Sequence, residues 1–492
     1  MDPDQEQEML RKLREKLGMP EKRDERSELE RLFGKRDESP ETKLRAELTK
    51  DRPGKGFQTV INIPRLAFDG RGLGIIADLP AFVDGPVPGD TVKVEITDTD
   101  GSSYQCRLLE TVSRSSDRVR PRCDVFGQCA GCHLQSLSYP AQLRVKERLV
   151  ADICRTALHQ REAEVQSLVP SPEAFGYLTR ISLDIPGGRP AAVTLANRTR
   201  HGERVEIKSC PLCDQPVNHV ITEVPALFDG MPVPKAGARL TLTGTGESTD
   251  LLLSVRWEGP LDVDKIFERA QHLALPVAGI SHARSKRRQT VGATRLELDL
   301  AGEKHAIVHD RFFPNNKYLT RRLRDQMIRL ASPTGRDRVL ITGAAAAFAF
   351  PPLRRMADTV LITDGSAMAD DPDIPPEVIV KAAPAAVFQH PKILALPRKE
   401  PTLVIHALEG GPDCAPFINA LAQQQIEKVL IVSWDLPQFG RCLQVLIGGG
   451  YRPRVIQPID IWPNTRRVMV LAFLTHPLAG PSILTEGWQD LR

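Results

Sequence analysis

The chain has no apolar run approaching the roughly 18–20 residues that cross a bilayer, so no membrane helix is expected. Its first residues, MDPDQEQEML, lack the basic, apolar and small-residue blocks of a secretory signal, and are too acidic for a mitochondrial transit peptide. A cytoplasmic protein is the expectation. Aromatic residues are scarce, at 5%, which argues against extensive base stacking as a binding mode. A net charge of +4 on 492 residues is too small to imply a nucleic-acid partner; only local basic clusters could. A disulfide framework is missing too. The nine cysteines are odd in number, and three crowd into residues 123–132, which points to metal.

What is present is ordinary for a soluble protein: 41% hydrophobic and 26% charged residues, in a length suited to two to four domains. Residues 1–56 are dominated by Lys, Arg, Glu and Asp and carry two short apolar clusters, Met9-Leu10-Leu13-Leu17 and Leu29-Leu32-Phe33. They read as a flexible extension, or as a docking arm for RNA, a ribosome or another protein. From Phe57 the texture turns to alternating β runs between Gly, Pro and Asp turns, about five strands over 57–116. That density predicts a small OB-like barrel of the kind that binds oligonucleotides. Residues 117–310 hold a cysteine-rich knuckle, the helical stretch YPAQLRVKERLVADICRTAL and a mixed, mainly β region. Residues 311–478 alternate helix and strand as a doubly wound, Rossmann-like α/β domain, and 479–492 form a tail. The fold class expected is multi-domain α/β plus β.

Cys123, Cys129 and Cys132 form C-x5-C-x2-C, with Gly127 and Gly131 letting the backbone fold tightly around one centre. A fourth thiolate can come from Cys210 or Cys213 in KSCPLC. Four thiolates suit structural zinc or a [4Fe–4S] cluster, and spacing alone leaves both open.

The stretch C-x5-C-A-G-C-H-L-Q-S-L-S-Y-x2-Q-L-x2-K resembles the cluster signature of the 23S rRNA and tRNA 5-methyluridine (uracil-C5) methyltransferases, which read CGGCQLQHL where this chain carries Ala130, His133 and Ser136 as variants. LAFDGRGLG and PGDTVKVEI resemble that family's TRAM domain. The resemblance runs from about residue 57 to 475. It implies a TRAM barrel, a central iron–sulfur domain and a C-terminal methyltransferase domain. It also implies a [4Fe–4S] cluster on Cys123, Cys129, Cys132 and Cys210, with Cys213 as a spare.

Such an enzyme adds a cysteine thiolate to uracil C6, passes a methyl group from S-adenosylmethionine to C5, and removes the C5 proton with a base. The target base is flipped out of its fold. Along the resemblance each of these parts is altered. The donor loop VLDLFCGxGxFxLPLA aligns with VLITGAAAAFAFPPL, so Ile341 replaces the acid, and Ala345 and Ala347 replace glycines that admit the donor. Pro314 stands where a donor-contacting Gln is expected; Asn316 and Asp364 survive. His406 takes the Asp of the DPPR segment, Trp434 the nucleophilic cysteine, and Met469 the base Glu. Cys414 and Cys442 are the candidates for a relocated nucleophile.

Basic clusters remain: 282–295, with Arg284, Lys286, Arg287 and Arg288; 317–329, whose spacing suits a surface helix; and Arg466 with Arg467. Gly176, Tyr177 and Arg180 resemble a substrate-side GYR-x-R segment with Leu178 in place of the middle Arg. The reading is a non-catalytic RNA-binding iron–sulfur protein, an assembly or chaperone factor for rRNA or tRNA, that does not bind S-adenosylmethionine. Its rivals are an active methyltransferase with reassigned residues and a redox or iron sensor whose cluster controls RNA binding.

Overall fold

The computed structural model describes residues 52–158, 163–187, 195–198, 202–284, 287–309, 313–343, 348–363, 374–397, 400–408 and 414–477. The N-terminal extension up to residue 51, the tail, and the positions Ala345, Ala347, Asp364 and Lys286 lie outside them.

Six strands, one more than the turn spacing predicts, build the first unit: β1 (Gln58–Asn62), β2 (Arg65–Leu66), β3 (Gly72–Ile76), β4 (Leu79–Val83), β5 (Thr91–Thr99) and β6 (Tyr104–Ser113). Their order is β1-β5-β6-β4-β3-β2. Strict alternation in TVKVEIT puts Val92, Val94 and Ile96 into one small core with Ile61, Ile63 and Val83. The sheet curls until β1 crosses β3. A Cβ on Gly74 would sit 2.8 Å from the Asn62 carbonyl oxygen, so only glycine lets the two strands pass.

After the cysteine knuckle comes helix α1 (Tyr139–Leu158), then β7 (Glu164–Val165). The central unit has a seven-stranded sheet ordered β10-β9-β8-β11-β12-β13-β14. Its strands are β8 (Arg180–Ile185), β9 (Ala196–Arg198), β10 (Arg204–Glu206), β11 (Ala238–Gly244), β12 (Leu251–Trp257), β13 (Val277–Arg284) and β14 (Arg287–Gly292), with helices α2 (Gln215–Leu227) and α3 (Val263–His272) packed on it. A hairpin, β15 (Arg295–Leu300) and β16 (Glu303–Val308), leads to helix α4 (Thr320–Ala331).

The last sheet holds β17 (Arg338–Thr342), β18 (Thr359–Thr363), β19 (Ile379–Val380), β20 (Leu403–Leu408), β21 (Lys428–Ser433), β22 (Arg452–Ile459) and β23 (Met469–Thr475). Helices α5 (Phe350–Met356), α6 (Cys414–Ala422) and α7 (Leu436–Gly448) alternate with them. The order is β19-β18-β17-β20-β21-β23-β22-β7, parallel from β19 to β21 and antiparallel through β23 and β22. These strands are nearly continuous apolar runs because both faces are covered. Along β23, Met469, Leu471 and Phe473 enter one core while Val470, Ala472 and Leu474 enter the other.

Strand β7 is an edge of this sheet, and α1 packs on α7. The sequence reading assigned both segments to the central unit, so this boundary is corrected. The reason is a set of buried polar bonds. Lys146 of α1 pairs with Asp460 at 2.5 Å, both side chains wholly buried, and its Nζ also donates to the Trp462 carbonyl at 2.8 Å. Burial pulls the Lys146 ammonium below its ordinary pKa, and Asp460 works against that pull. Lys146→Met strands the carboxylate and is expected to cost about 3–5 kcal/mol, whereas the double variant with Asp460→Leu recovers most of it. Urea midpoints of the three proteins check this; equal losses in the single and double variants contradict it.

Candidate functional site

The loop between β22 and β23, IDIWPNTRR, is the hub of the molecule. Asn464, held at φ +67°, accepts the backbone N–H groups of both His133 and Leu134 on its carbonyl oxygen at 3.0 Å. Gln142 of α1 bonds its amide and its backbone N–H, and Tyr177 donates to the Pro463 carbonyl at 2.9 Å. The cysteine knuckle is thereby seated on the C-terminal domain. From the first unit, Gly70 at φ +87° lies against the His133 ring, and Arg466 donates to the Phe68 carbonyl at 3.2 Å.

Where the three units meet there is a cavity of about 820 Å³. Cys123, Cys129, Cys132 and Cys210 line it, along with Arg71, Asn197, Trp462, Arg466 and Arg467. Gly127 turns the knuckle in the left-handed region, at φ +90°. A Cβ on Gly131 would press to 3.4 Å from the Cys129 sulfur. Donors point at the thiols: Asn197 Nδ2 to Cys129 Sγ at 3.3 Å, and Gln135 Nε2 to Cys132 Sγ at 3.2 Å. Burial raises Cys123 and Cys129 and pushes Cys132 to about 12. Cys210 differs. A hydrogen bond from the Cys213 thiol lowers it to about 7, and Cys213 itself, buried in the central core, is raised well above the ordinary range. Among the described residues no three His, Cys, Asp or Glu side chains converge on a single ion-sized point.

The positions at which this chain departs from the family pattern it resembles divide between the two faces of the last sheet. Trp434 follows β21, half-buried against the core that contains Met469, and stands edge-to-face with Trp462, with ring centroids 6.3 Å apart. Met469 is completely buried there, as is Ile341. His406 lies on the opposite face, stacked on Phe417 at 4.3 Å, with Nδ1 bonded to Thr342 Oγ1 at 2.5 Å. Its Nε2 has no hydrogen-bond partner among the described residues, and burial lowers its pKa to about 3, so the ring is neutral. Cys442 is buried in α7 on that same far face, away from Trp434. The side chain of Cys414 lies outside the description.

Asn316, the retained residue of the segment that resembles the family's F-x-N, is buried and bonded within the scaffold. Its amide donates to Ser171 Oγ and to the Ile461 carbonyl, and its oxygen accepts from the Tyr318 N–H. Pro314 is buried, its carbonyl accepting from Thr320. Tyr177 is likewise internal, and the loop around Gly176 and Arg180 is bound to KSCPLC through Leu178. Of the basic residues, Arg466, Arg467 and Arg288 are exposed; Arg284 and Arg287 end β13 and begin β14 with side chains outside the description. Sequence reasoning missed Asn197 and Gln135, the donors to sulfur. Gln135 lies inside the cysteine signature and could have been singled out there; Asn197, some 65 residues on, carries no such signal.

A parallel sheet whose strand order reverses between β17 and β20 places its crevice at the carboxyl ends of those strands, and the antiparallel β23 completes a methyltransferase fold. The structure of Pyrococcus abyssi tRNA (uracil-54, C5)-methyltransferase, in complex with S-adenosyl-L-homocysteine, matches it with a TM-score of 0.63, covering 85% of this chain and 100% of that one at 20% identity. An uncharacterized RNA methyltransferase of Thermosynechococcus vestitus is 25% identical over 451 residues, 86% of this chain and 98% of that protein. The 23S rRNA (uracil(1939)-C(5))-methyltransferase RlmD of Pseudomonas putida is 24% identical over 444 residues, 85% of this chain and 93% of its own length. No protein-family model matches the chain. Over most of its length the chain is thus similar to RNA methyltransferases, among them uracil-C5 enzymes, the family its cysteine signature resembles.

Proposed function

We propose that this chain is an RNA-binding iron–sulfur protein that descends from a uracil-C5 methyltransferase and no longer transfers methyl groups. The observation that carries the reading is the state of the cleft. An indole packed against a second indole stands where a thiolate must attack, and a wholly buried thioether stands where a base must collect a proton. Neither group can form the covalent adduct or take up the C5 proton. His406 cannot substitute as that base, because it is on the other face of the sheet and Thr342 occupies one ring nitrogen. Cys442, on that far face too, does not restore a nucleophile.

The thiol ring fits a [4Fe–4S] cluster. Four thiols face one cavity with amide donors aimed at two of the sulfurs, and such bonds stabilise thiolate ligands. Cys123, Cys129, Cys132 and Cys210 would hold the cluster, and bound there it would brace the knuckle against the central sheet. The RNA would be rRNA or tRNA, the substrates named for the relatives, with Arg466 and Arg467 meeting phosphate at the cavity mouth. Because thiols and arginines share that cavity, a second reading also has support, in which cluster occupancy sets RNA affinity.

The donor site gives a direct test. Calorimetric titration with S-adenosylmethionine is expected to show no binding in the micromolar range, since Ile341 near the end of β17 stands where the resemblance expects a carboxylate and Asn316 is bonded within the scaffold. A clear micromolar dissociation constant overturns the loss of the donor site.

A further inference from the structure

We propose that the outer face of helix α4, with Tyr318 at its entrance, is a second RNA-binding surface that takes an unpaired strand. This inference rests on the RNA-binding reading above and adds a site away from the thiol cavity.

The arginines of TRRLRDQMIR do not share one role. Arg324 turns inward, pairing with Glu303 at 3.1 Å and reaching the Leu300 carbonyl, so it belongs to the contact between α4 and the β15–β16 hairpin. Arg321, Arg322 and Arg329 remain outside. Together with Tyr318, Asp325 and Gln326 they line a shallow groove of about 410 Å³. These positions follow helical spacing along one face, a run of about 12 Å from Arg321 to Arg329. Asp325 is the one acid in the groove and approaches Arg321 only at 3.6 Å, on the surface, where such a pair holds little. Arg322 has no ion pair among the described residues. Asp325 also pairs with Arg324 at 3.1 Å and Arg329 donates to Gln326, so three outward arginines share one carboxylate, an excess of positive charge that suits a polyanion.

The aromatic residue decides what kind. Tyr318 is 41% exposed in a chain with few aromatics, and Lys317 Nζ lies 5.3 Å from its ring centre. Its backbone is fixed by Asn316, so the ring is presented from a rigid turn. An exposed ring beside a cationic track stacks an unpaired base, which a duplex does not offer.

Full-length protein, purified without oxygen, is titrated with a fluorescein-labelled unpaired RNA of mixed sequence and with a duplex of equal length, across a salt series. For the unpaired RNA, Arg322→Ala with Arg329→Ala is expected to weaken binding about tenfold and to flatten the log–log salt slope by about 1.4, two phosphate contacts at 0.7 each. Tyr318→Ala is expected to weaken the unpaired RNA several-fold and leave the duplex unchanged. Unchanged urea midpoints show that the variants are folded. Wild-type binding that none of these substitutions alters overturns the α4 surface while sparing the RNA reading. Equal loss for duplex and single strand in Tyr318→Ala overturns the unpaired-strand assignment. No binding of either RNA by the wild type removes both.

Discussion

Cys210→Ala yields colourless protein without iron, while Cys213→Ala stays brown with about four irons per chain when both are purified without oxygen. That is the expected outcome at the cluster site, and the two thiols make it specific although they touch. Cys210 lines the cavity and is held near a pKa of 7 by the Cys213 thiol, so it gives up its proton readily to a metal. Cys213 points into the central core, where burial and its bond to Cys210 keep it protonated. Its replacement removes a packing group and a donor, a loss of stability rather than of iron. If the two effects are reversed, the fourth ligand is Cys213; stoichiometric zinc without iron in the wild type removes the cluster altogether. The same variant decides the second reading. RNA affinity that is equal in wild type and folded Cys210→Ala makes the cluster a brace, and a difference makes it a switch.

How far the sequence reveals this protein depends on whether the signal is local. C-x5-C-x2-C, the alternation of TVKVEIT and the apolar strands of the last sheet are all local patterns, and in the structure they become a knuckle, a curled sheet and a mixed, mainly parallel sheet. The membership of α1 and β7 in that last sheet was not legible. A two-residue strand has no period, and the Lys146–Asp460 pair joins positions 314 apart. The internal bonds of Asn316 were hidden for a related reason: its partners, Ser171 and Ile461, each lie 145 residues away. Among the arginines of α4, nothing nearby marks Arg324 as the inward one; Glu303 and the Leu300 carbonyl do, from the preceding hairpin. Trp434, Met469 and His406 could be singled out from the sequence through the resemblance. Their division between two faces of the sheet could not be read there; it sets the neutral His406 and buried Cys442 on the face away from Trp434 and Met469.

The most direct test of the account is methyl transfer itself. Protein loaded with iron is incubated with labelled S-adenosylmethionine and with total rRNA and tRNA from cells lacking it, and 5-methyluridine is counted after nuclease digestion. The account predicts none above the blank for the wild type. It also predicts none for Trp434→Cys, because a restored thiolate would still face Met469, find no carboxylate at position 341 and have His406 on the wrong side of the sheet. RNA binding should persist in both proteins, since the basic surfaces are untouched. Robust 5-methyluridine formation by the wild type would contradict the central claim, and its specific loss in Cys442→Ala or Cys414→Ala would then identify the relocated nucleophile.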